Sequence, residues 1–448
     1  MRIEAALIGA GNRGLRTYGR YAELYPHELG FVAVAEPDPV RRQGFAEIHG
    51  IPEAGRWESW QDLLDRDRVC GAVFICTQDR MHYGPTLAAL ERGYHVMLEK
   101  PMSQDAWECI HMARKAEETG RILVIGHVLR YAPFFSTLKQ IVGSGRIGEI
   151  VSIQYNENIG YWHFAHSFVR GNWRKTADAS PMILAKSCHD MDILAWLVDG
   201  RKCLRICSFG SLRHFRTENA PAGSTDRCTQ GCAVERDCPY SALKLYLRAP
   251  GGPWTARGYH PVTLQTLENL KRIASPDADP DAVLRELETG RYGRCVYHCD
   301  NDVVDHQVVS LEFDGGVSAS FVVCGHTAEW LRTIKIMGTR GEVRGHQGKD
   351  EIEVLDFRSG SREVIETAAG HGHGGGDERL IADFLNRIGS PREDAPLTSA
   401  ALSVQSHLMA MAAERSRLEG RTVDMEDFVR EAEREGSERS GGGRKRRP

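Results

Sequence analysis

The segment Ile3 to Gly14, IEAALIGAGNRG, constrains this chain more than any other stretch, because an apolar strand runs directly into Gly9, Gly11 and Gly14. In that G-x-G-x-x-G spacing each glycine has its own task. Gly9 permits a tight strand-to-helix turn, Gly11 lets the backbone approach a pyrophosphate, and Gly14 lets the new helix pack closely on the sheet. Asn12 and Arg13 complete the turn and join the candidate cofactor contacts. The next apolar run, Phe31 to Ala35, stops at Glu36, 22 residues after Gly14, where a ribose-reading acid is expected. A carboxylate there accepts hydrogen bonds from both ribose hydroxyls and repels a 2′-phosphate, which favours NAD over NADP. Arg41 and Arg42 follow closely, either as phosphate partners or as solvated helix charges.

Strand and helix patterns alternate up to about residue 125: Phe31 to Ala35, a helix from Pro39, Ala72 to Cys76, a helix from Tyr83, His95 to Leu98, a helix from Ser103 as N-cap, and Ile122 to Gly126. Such alternation predicts an α/β, doubly wound parallel sheet over residues 1–127. From 128 to 430 the texture changes to longer strand-like runs. Ile150 to Tyr155, Cys203 to Gly210, Val303 to Phe313, Gly316 to Val323, Leu331 to Met337 and Glu351 to Phe357 are joined in part by hairpin chemistry such as Asp314, Gly315 and Gly316. This predicts a second, α+β domain with an open, mostly antiparallel sheet. It contains a Cys-bearing insertion at about 213–300 with an amphipathic segment near Val262 to Ile273, and it closes with a helix from Ser399 to Glu419. Residues 431–448, ending in GGGRKRRP, are expected to form a disordered tail.

Bulk properties narrow the partners. With 448 residues, 41% hydrophobic and 26% charged, the chain has the composition of an ordinary globular protein. A net charge of −4 supplies no field for nucleic acid or an anionic membrane. Neither an 18-residue apolar run nor a basic n-region before an apolar h-region is present, so the expected location is cytoplasmic. Exposed apolar surface on an open sheet predicts a homo-oligomer, dimer or tetramer.

Glu99, Lys100 and Pro101 follow the strand HVML, at the carboxyl end of the parallel sheet where doubly wound folds place ligands. With the glycine turn, this E-K-P makes the chain resemble the Gfo/Idh/MocA oxidoreductase family. GHVLRYAPFF (Gly126 to Phe135) and GRIGEI (Gly145 to Ile150) are similar to that family's link between domains, and the resemblance covers about residues 1–420. It implies a nicotinamide cofactor and a sugar, polyol or sugar-derivative substrate. It places Lys100 near nicotinamide and the reacting hydroxyl, Glu99 with the cofactor, and Arg130 and Tyr131 beside the substrate. His189, in AKSCHDMD, matches the family's catalytic histidine, with Asp192 following it at the start of a helix. Ser187 and Asp190 can instead form a capping box. Sugar dehydrogenases of the family commonly carry an aspartate four residues before that histidine. Here Ala185 stands there and Lys186 follows, a cation that is the third catalytic candidate.

Three further features remain. YWHFAHSFVRGNWR, Tyr161 to Arg174, suits a carbohydrate pocket, with Tyr161, His163, His166, Arg170, Asn172, Trp173 and Arg174 as contacts, although its aromatic residues also suit a core. The loop GHGHGGGD, Gly370 to Asp377, offers His371 and His373 and resembles a loop in the family branch that cleaves glycosides without net redox change; a hinge without chemistry is the plainer alternative. Cys228, Cys232 and Cys238, with Cys295 and Cys299 later, have spacings that fit a structural zinc site built on Cys228, Cys232, Cys238 and Cys295, free thiols, or disulfides. The functional readings are NAD-dependent dehydrogenation, redox-neutral glycoside cleavage through a transient keto-sugar, and a nucleotide-binding sensor without catalysis.

Overall fold

The computed structural model describes residues 2–247, 264–275, 279–368, 371–390 and 395–442. Six strands, β1 (Ile3–Ile8), β2 (Leu29–Ala35), β3 (Arg56–Trp57), β4 (Ala72–Ile75), β5 (His95–Leu98) and β6 (Leu123–Ile125), form one sheet in the order β3-β2-β1-β4-β5-β6. Every pairing in it is parallel. β4 is buried at every position and β1 at all but Glu4, as expected of strands covered by helices on both faces. The strand order reverses between β1 and β4, and the crevice at that switch point opens beside the glycine turn.

The second sheet has nine strands: β7 (Ile150–Asn158), β8 (Cys203–Ser211), β9 (His306–Phe313), β10 (Val317–Cys324), β11 (Leu331–Gly338), β12 (Gly341–His346), β13 (Glu351–Asp356), β14 (Arg362–Glu366) and β15 (Val423–Asp424). Their order is β14-β13-β12-β11-β7-β10-β9-β8-β15, antiparallel except where β7 and β10 run together. Gly315 and Gly316, at φ 77° and 78°, make the β9–β10 turn. One apolar cluster runs from the β1–β4 face of the first sheet into the second sheet, and another covers the opposite face of the first. The insertion has a small cluster of its own, centred on Tyr246, Leu287 and Tyr292. The helix Ala400–Glu419 starts at Ser399, whose Oγ accepts from Leu402 N, and Ile125 N donates to Thr398 O at 2.9 Å, tying the chain's return to the edge of the first sheet.

Several local expectations are corrected. The cap of the helix Ala106–Thr119 is Asp105, which accepts from Glu108 N, while Ser103, two residues earlier, accepts from Asp105 N through its Oγ. Asp192 does not begin a helix: it lies in the second turn of Cys188–Leu197, and Ser187 makes no side-chain cap. The expected disordered tail from 431 is helical to Gly442, within Met425–Gly442. Its charges find partners, Arg439 with Asp105 at 2.7 Å, Glu433 with Arg114 and Glu431 with Arg415, and Gly436 lets the helix press on the Trp107 ring. Val262 and residues 443–448 lie outside the described residues.

Candidate active site

The glycine turn is held open where a ligand would enter and closed elsewhere. A Cβ on Gly9 (φ 95°) would lie 2.7 Å from Cys76 O, and one on Gly14 would lie 2.2 Å from Gly9 O. At Gly11 a Cβ would meet nothing within 4 Å. This is a cradle that a side chain would fill and a diphosphate fits. Glu36, buried at the end of β2, accepts from Ala10 N at 2.7 Å and Asp38 N at 3.1 Å, which fixes its carboxylate over the same turn. Arg42 is engaged with Glu36 O, Pro37 O and Glu58; Arg41 is 60% exposed.

Arg13 leaves the turn in another direction. Its Nε donates to Glu99 Oε1 at 2.6 Å and its Nη1 pairs with Asp377 Oδ1 at 2.9 Å. Tyr18 OH donates to the same Glu99 oxygen at 2.7 Å, and Lys100 N reaches Glu99 Oε2 at 3.2 Å. Burial opposes the charge on Glu99, but Arg13 and Tyr18 outweigh it and hold the carboxyl below its ordinary range. Asp377 likewise is buried yet held low by His373 and Arg13, with His373 Nδ1 at 3.0 Å. The loop resembling a hinge is therefore bonded to the cofactor turn. His373, Gly374 and Gly375 take φ of 45°, 70° and 85° before the helix runs on to Gly389, and Gly376 lies so close to Val128 that a Cβ would fall 2.2 Å from Val128 O. The His371 side chain lies outside the described residues.

Lys100 Nζ donates to Ala185 O at 2.8 Å, so the position that lacks the usual aspartate still meets the lysine through its carbonyl. His189 is buried, its ring 6.1 Å from His373 and 5.6 Å from His127. Burial, then the charges of Lys100 and its neighbours, drives its pKa well below the ordinary imidazole value, and its buried Nδ1 has no hydrogen-bond partner. Both features favour the uncharged imidazole.

Beneath it lies a charge network that the sequence did not reveal. Asp190 accepts from Arg332 Nε at 2.7 Å, Glu157 meets the same Nε at 2.7 Å, and Lys186 Nζ lies 3.1 Å from Glu157. Burial raises the Asp190 pKa and lowers that of Lys186. Lys186 is thus paired with Glu157 of β7, and Asp190 belongs to this network and not to a capping box.

Other expected contacts are placed differently. Arg130 and Asp192, expected at substrate, form a bidentate buried pair at 2.7 and 2.7 Å, with Arg130 Nη1 donating to Leu397 O. Tyr131 OH donates to Asp383 at 2.8 Å. His166 bonds Tyr246 OH at 2.6 Å and stacks on Tyr292; Arg170 donates to Arg294 O and Tyr240 O; Arg174 pairs with Asp300. These three face the insertion. Trp162 and Phe164 are core, Trp173 packs against the main cluster, and Asn172 is half-buried. Tyr161 is half-buried, with its ring 6.2 Å from that of Tyr240. His163 is stacked on Trp162 and packs edge-on against Trp330, and burial, then the charge of Lys186, depresses its pKa. His127 and His407 were missed, since a lone buried histidine carries no sequence signal. His407 accepts from Met102 N at 2.9 Å and donates Nδ1–H to Ser403 O, and it packs edge-on against His127.

Residues 3–127 match the oxidoreductase family with an NAD-binding Rossmann fold, and residues 139–214 match its C-terminal alpha/beta domain. The chain belongs to the Gfo/Idh/MocA family. It is 24% identical over 429 residues to YteT of Bacillus subtilis (strain 168), covering 91% of this chain and 94% of that protein. It is 28% identical over 156 residues to an alpha-N-acetylgalactosaminidase of Bacteroides fragilis, 34% of this chain and 36% of that one. The solved structure of a levoglucosan dehydrogenase, in complex with NADH and L-sorbose, superposes with a TM-score of 0.67 at 18% identity, covering 95% of this chain and 99% of that one. Among the described residues no helix is long and apolar enough to cross a membrane.

Proposed function

We propose that this family member is an NAD-dependent oxidoreductase that moves hydride between nicotinamide and a sugar, polyol or sugar derivative. The observation that carries the reading is that Lys100 at the end of β5 and His373 on the glycine loop both bear on His189, while Arg13 of the glycine turn bridges Glu99, next to Lys100, and Asp377, the partner of His373. A bound nicotinamide supplies the hydride chemistry. The chain's own residues do the rest. Gly11 leaves the backbone bare to a diphosphate, and each Glu36 oxygen keeps a lone pair for a ribose hydroxyl, which favours NAD. Neutral His189 takes the substrate hydroxyl proton, and the Lys100 ammonium steadies the oxygen as negative charge develops there. His163 and His373 face the substrate. Lys186 supports the site through Glu157 and Arg332.

The test is turnover in Lys100→Met and His189→Asn. Each variant should lose about 10²- to 10⁴-fold in kcat/KM while binding NAD as the parent does. Parent-like turnover in both removes the assignment.

A second reading, redox-neutral glycoside cleavage, is favoured by one feature: His373, held by Asp377 with its ring 6.1 Å from that of His189, where it can abstract a second proton. It predicts glycoside consumption without accumulation of NADH. The twelve cysteines are not joined in disulfides, and a cytoplasmic setting is proposed, to be read by fractionation of cells that express the chain. Phe209, Val151 and Val364, exposed on the nine-stranded sheet, support self-association through that sheet, to be read as a dimer or tetramer mass by light scattering.

A further inference from the structure

The insertion between β8 and β9 holds a cysteine cluster for which the redox chemistry has no use. Cys228, Cys232, Cys238 and Cys295 line one cavity of about 10 Å³, room for a single water-sized sphere. Two distant stretches of chain meet there. Arg227 and Arg294 form an isolated bridge, Cys228 N donates to Gly293 O at 3.0 Å and Cys295 N to Asp226 O at 2.9 Å. The backbone contacts therefore hold Cys295 beside Cys228, and Cys232 and Cys238 reach the same cavity. Cys228 Sγ accepts from Ala242 N at 3.4 Å and from Arg170 Nη2 at 3.8 Å.

Arg170 is the independent observation. It is 1% exposed, and it donates to Arg294 O and Tyr240 O at 2.7 Å each. Its Nη1 has no partner, and among the described residues no carboxylate pairs with it. A buried guanidinium without a counter-charge is strongly disfavoured. Two carbonyls and neutral thiols leave it uncompensated, whereas a divalent cation held by four thiolates carries a net charge of −2 and supplies the missing anion.

We propose that Cys228, Cys232, Cys238 and Cys295 bind one structural zinc ion, with Arg170 as its buried counter-charge. Among the described residues no group of three or more His, Cys, Asp or Glu side chains is drawn together to hold a metal as it stands. Ligation at about 2.3 Å therefore requires the thiols to rotate inward onto the cavity they already line. Each ligand loses its proton, so one Zn²⁺ enters as four protons leave, with no change of oxidation state. The ion staples an insertion whose own apolar cluster is small. Through Arg170 and His166 it also fixes the segment Ala165–Arg170 against the insertion.

The experiment is elemental analysis of the full chain purified after growth with zinc and without chelator, together with thiol titration in denaturant. One zinc per chain and twelve reactive thiols after its removal are expected. Cys232→Ser should abolish stoichiometric zinc, and Arg170→Gln should weaken retention against a chromogenic chelator by about 10- to 100-fold. If Cys232→Ser does not fold, cobalt substitution of the parent decides, through the intense thiolate-to-cobalt absorption of a four-sulfur site. A metal-free parent overturns the proposal, whether its twelve thiols are all reactive or some are lost to disulfides. So does one zinc that survives Cys232→Ser unchanged, or cobalt without that absorption.

Discussion

At the scale of the residue, the glycine turn separates folding from ligand binding. Gly11→Ala adds a methyl into open space and should leave thermal stability near that of the parent while weakening NAD binding, as calorimetric titration would read. Gly14→Ala forces a Cβ to 2.2 Å from Gly9 O and should lower the unfolding temperature with or without ligand. Equal effects on stability would contradict the division of tasks. Gly9, Gly11, Gly14, Glu36 and Lys100 were legible because their chemistry is local: backbone freedom, a strand end and a cation beside it. Asp377, Glu157 and Arg332 were not, since an ion pair such as Arg332 with Glu157 has no local signature at all. Arg130 and Asp192 were legible as important and misread in kind. A motif names the residue types, but only the fold reveals that these two are satisfied by one another.

At the scale of the element, ion pairs hold the site's supports together. The helix Cys188–Leu197 is clamped by Asp192 to Arg130, and by Asp190 to Arg332 on β11. Removing one member of such a pair leaves an uncompensated charge, so Asp192→Leu should cost about 3–5 kcal/mol in denaturant unfolding. A loss indistinguishable from zero would mean that the pair is not buried in solution. The glycine loop is joined to the cofactor turn through Asp377, Arg13 and Glu99. Strand and helix positions in the first sheet were readable from alternation and turn chemistry, whereas the helical terminus was not. Residues 431–442 have a charged composition that reads as solvated until the helix Ala106–Thr119 supplies Asp105 and Arg114 as partners.

At the scale of the whole molecule, buried neutral histidines contribute to the loss of stability in acid. Burial pushes His166 and His407 down to about 3 in the fold, against about 6.5 in the unfolded chain. The unfolded state therefore binds protons first as pH falls, and stability is full above about 6.5 and lost progressively toward 3. Unfolding temperatures recorded from pH 7.5 to 4.5 should fall below about 6.5, and the fall should lessen in His407→Gln; a flat profile would contradict the neutral assignment.

The central claim is a nicotinamide cradle coupled to sugar or polyol oxidation at Lys100 and His189. Its most direct test is the absorbance of reduced nicotinamide when the protein and NAD are offered a panel of polyols, free sugars and glycosides, with the nucleotide content of the denatured protein determined in parallel. The account predicts NADH formed in proportion to substrate oxidised. A chain that neither carries nor binds a nicotinamide nucleotide would contradict it.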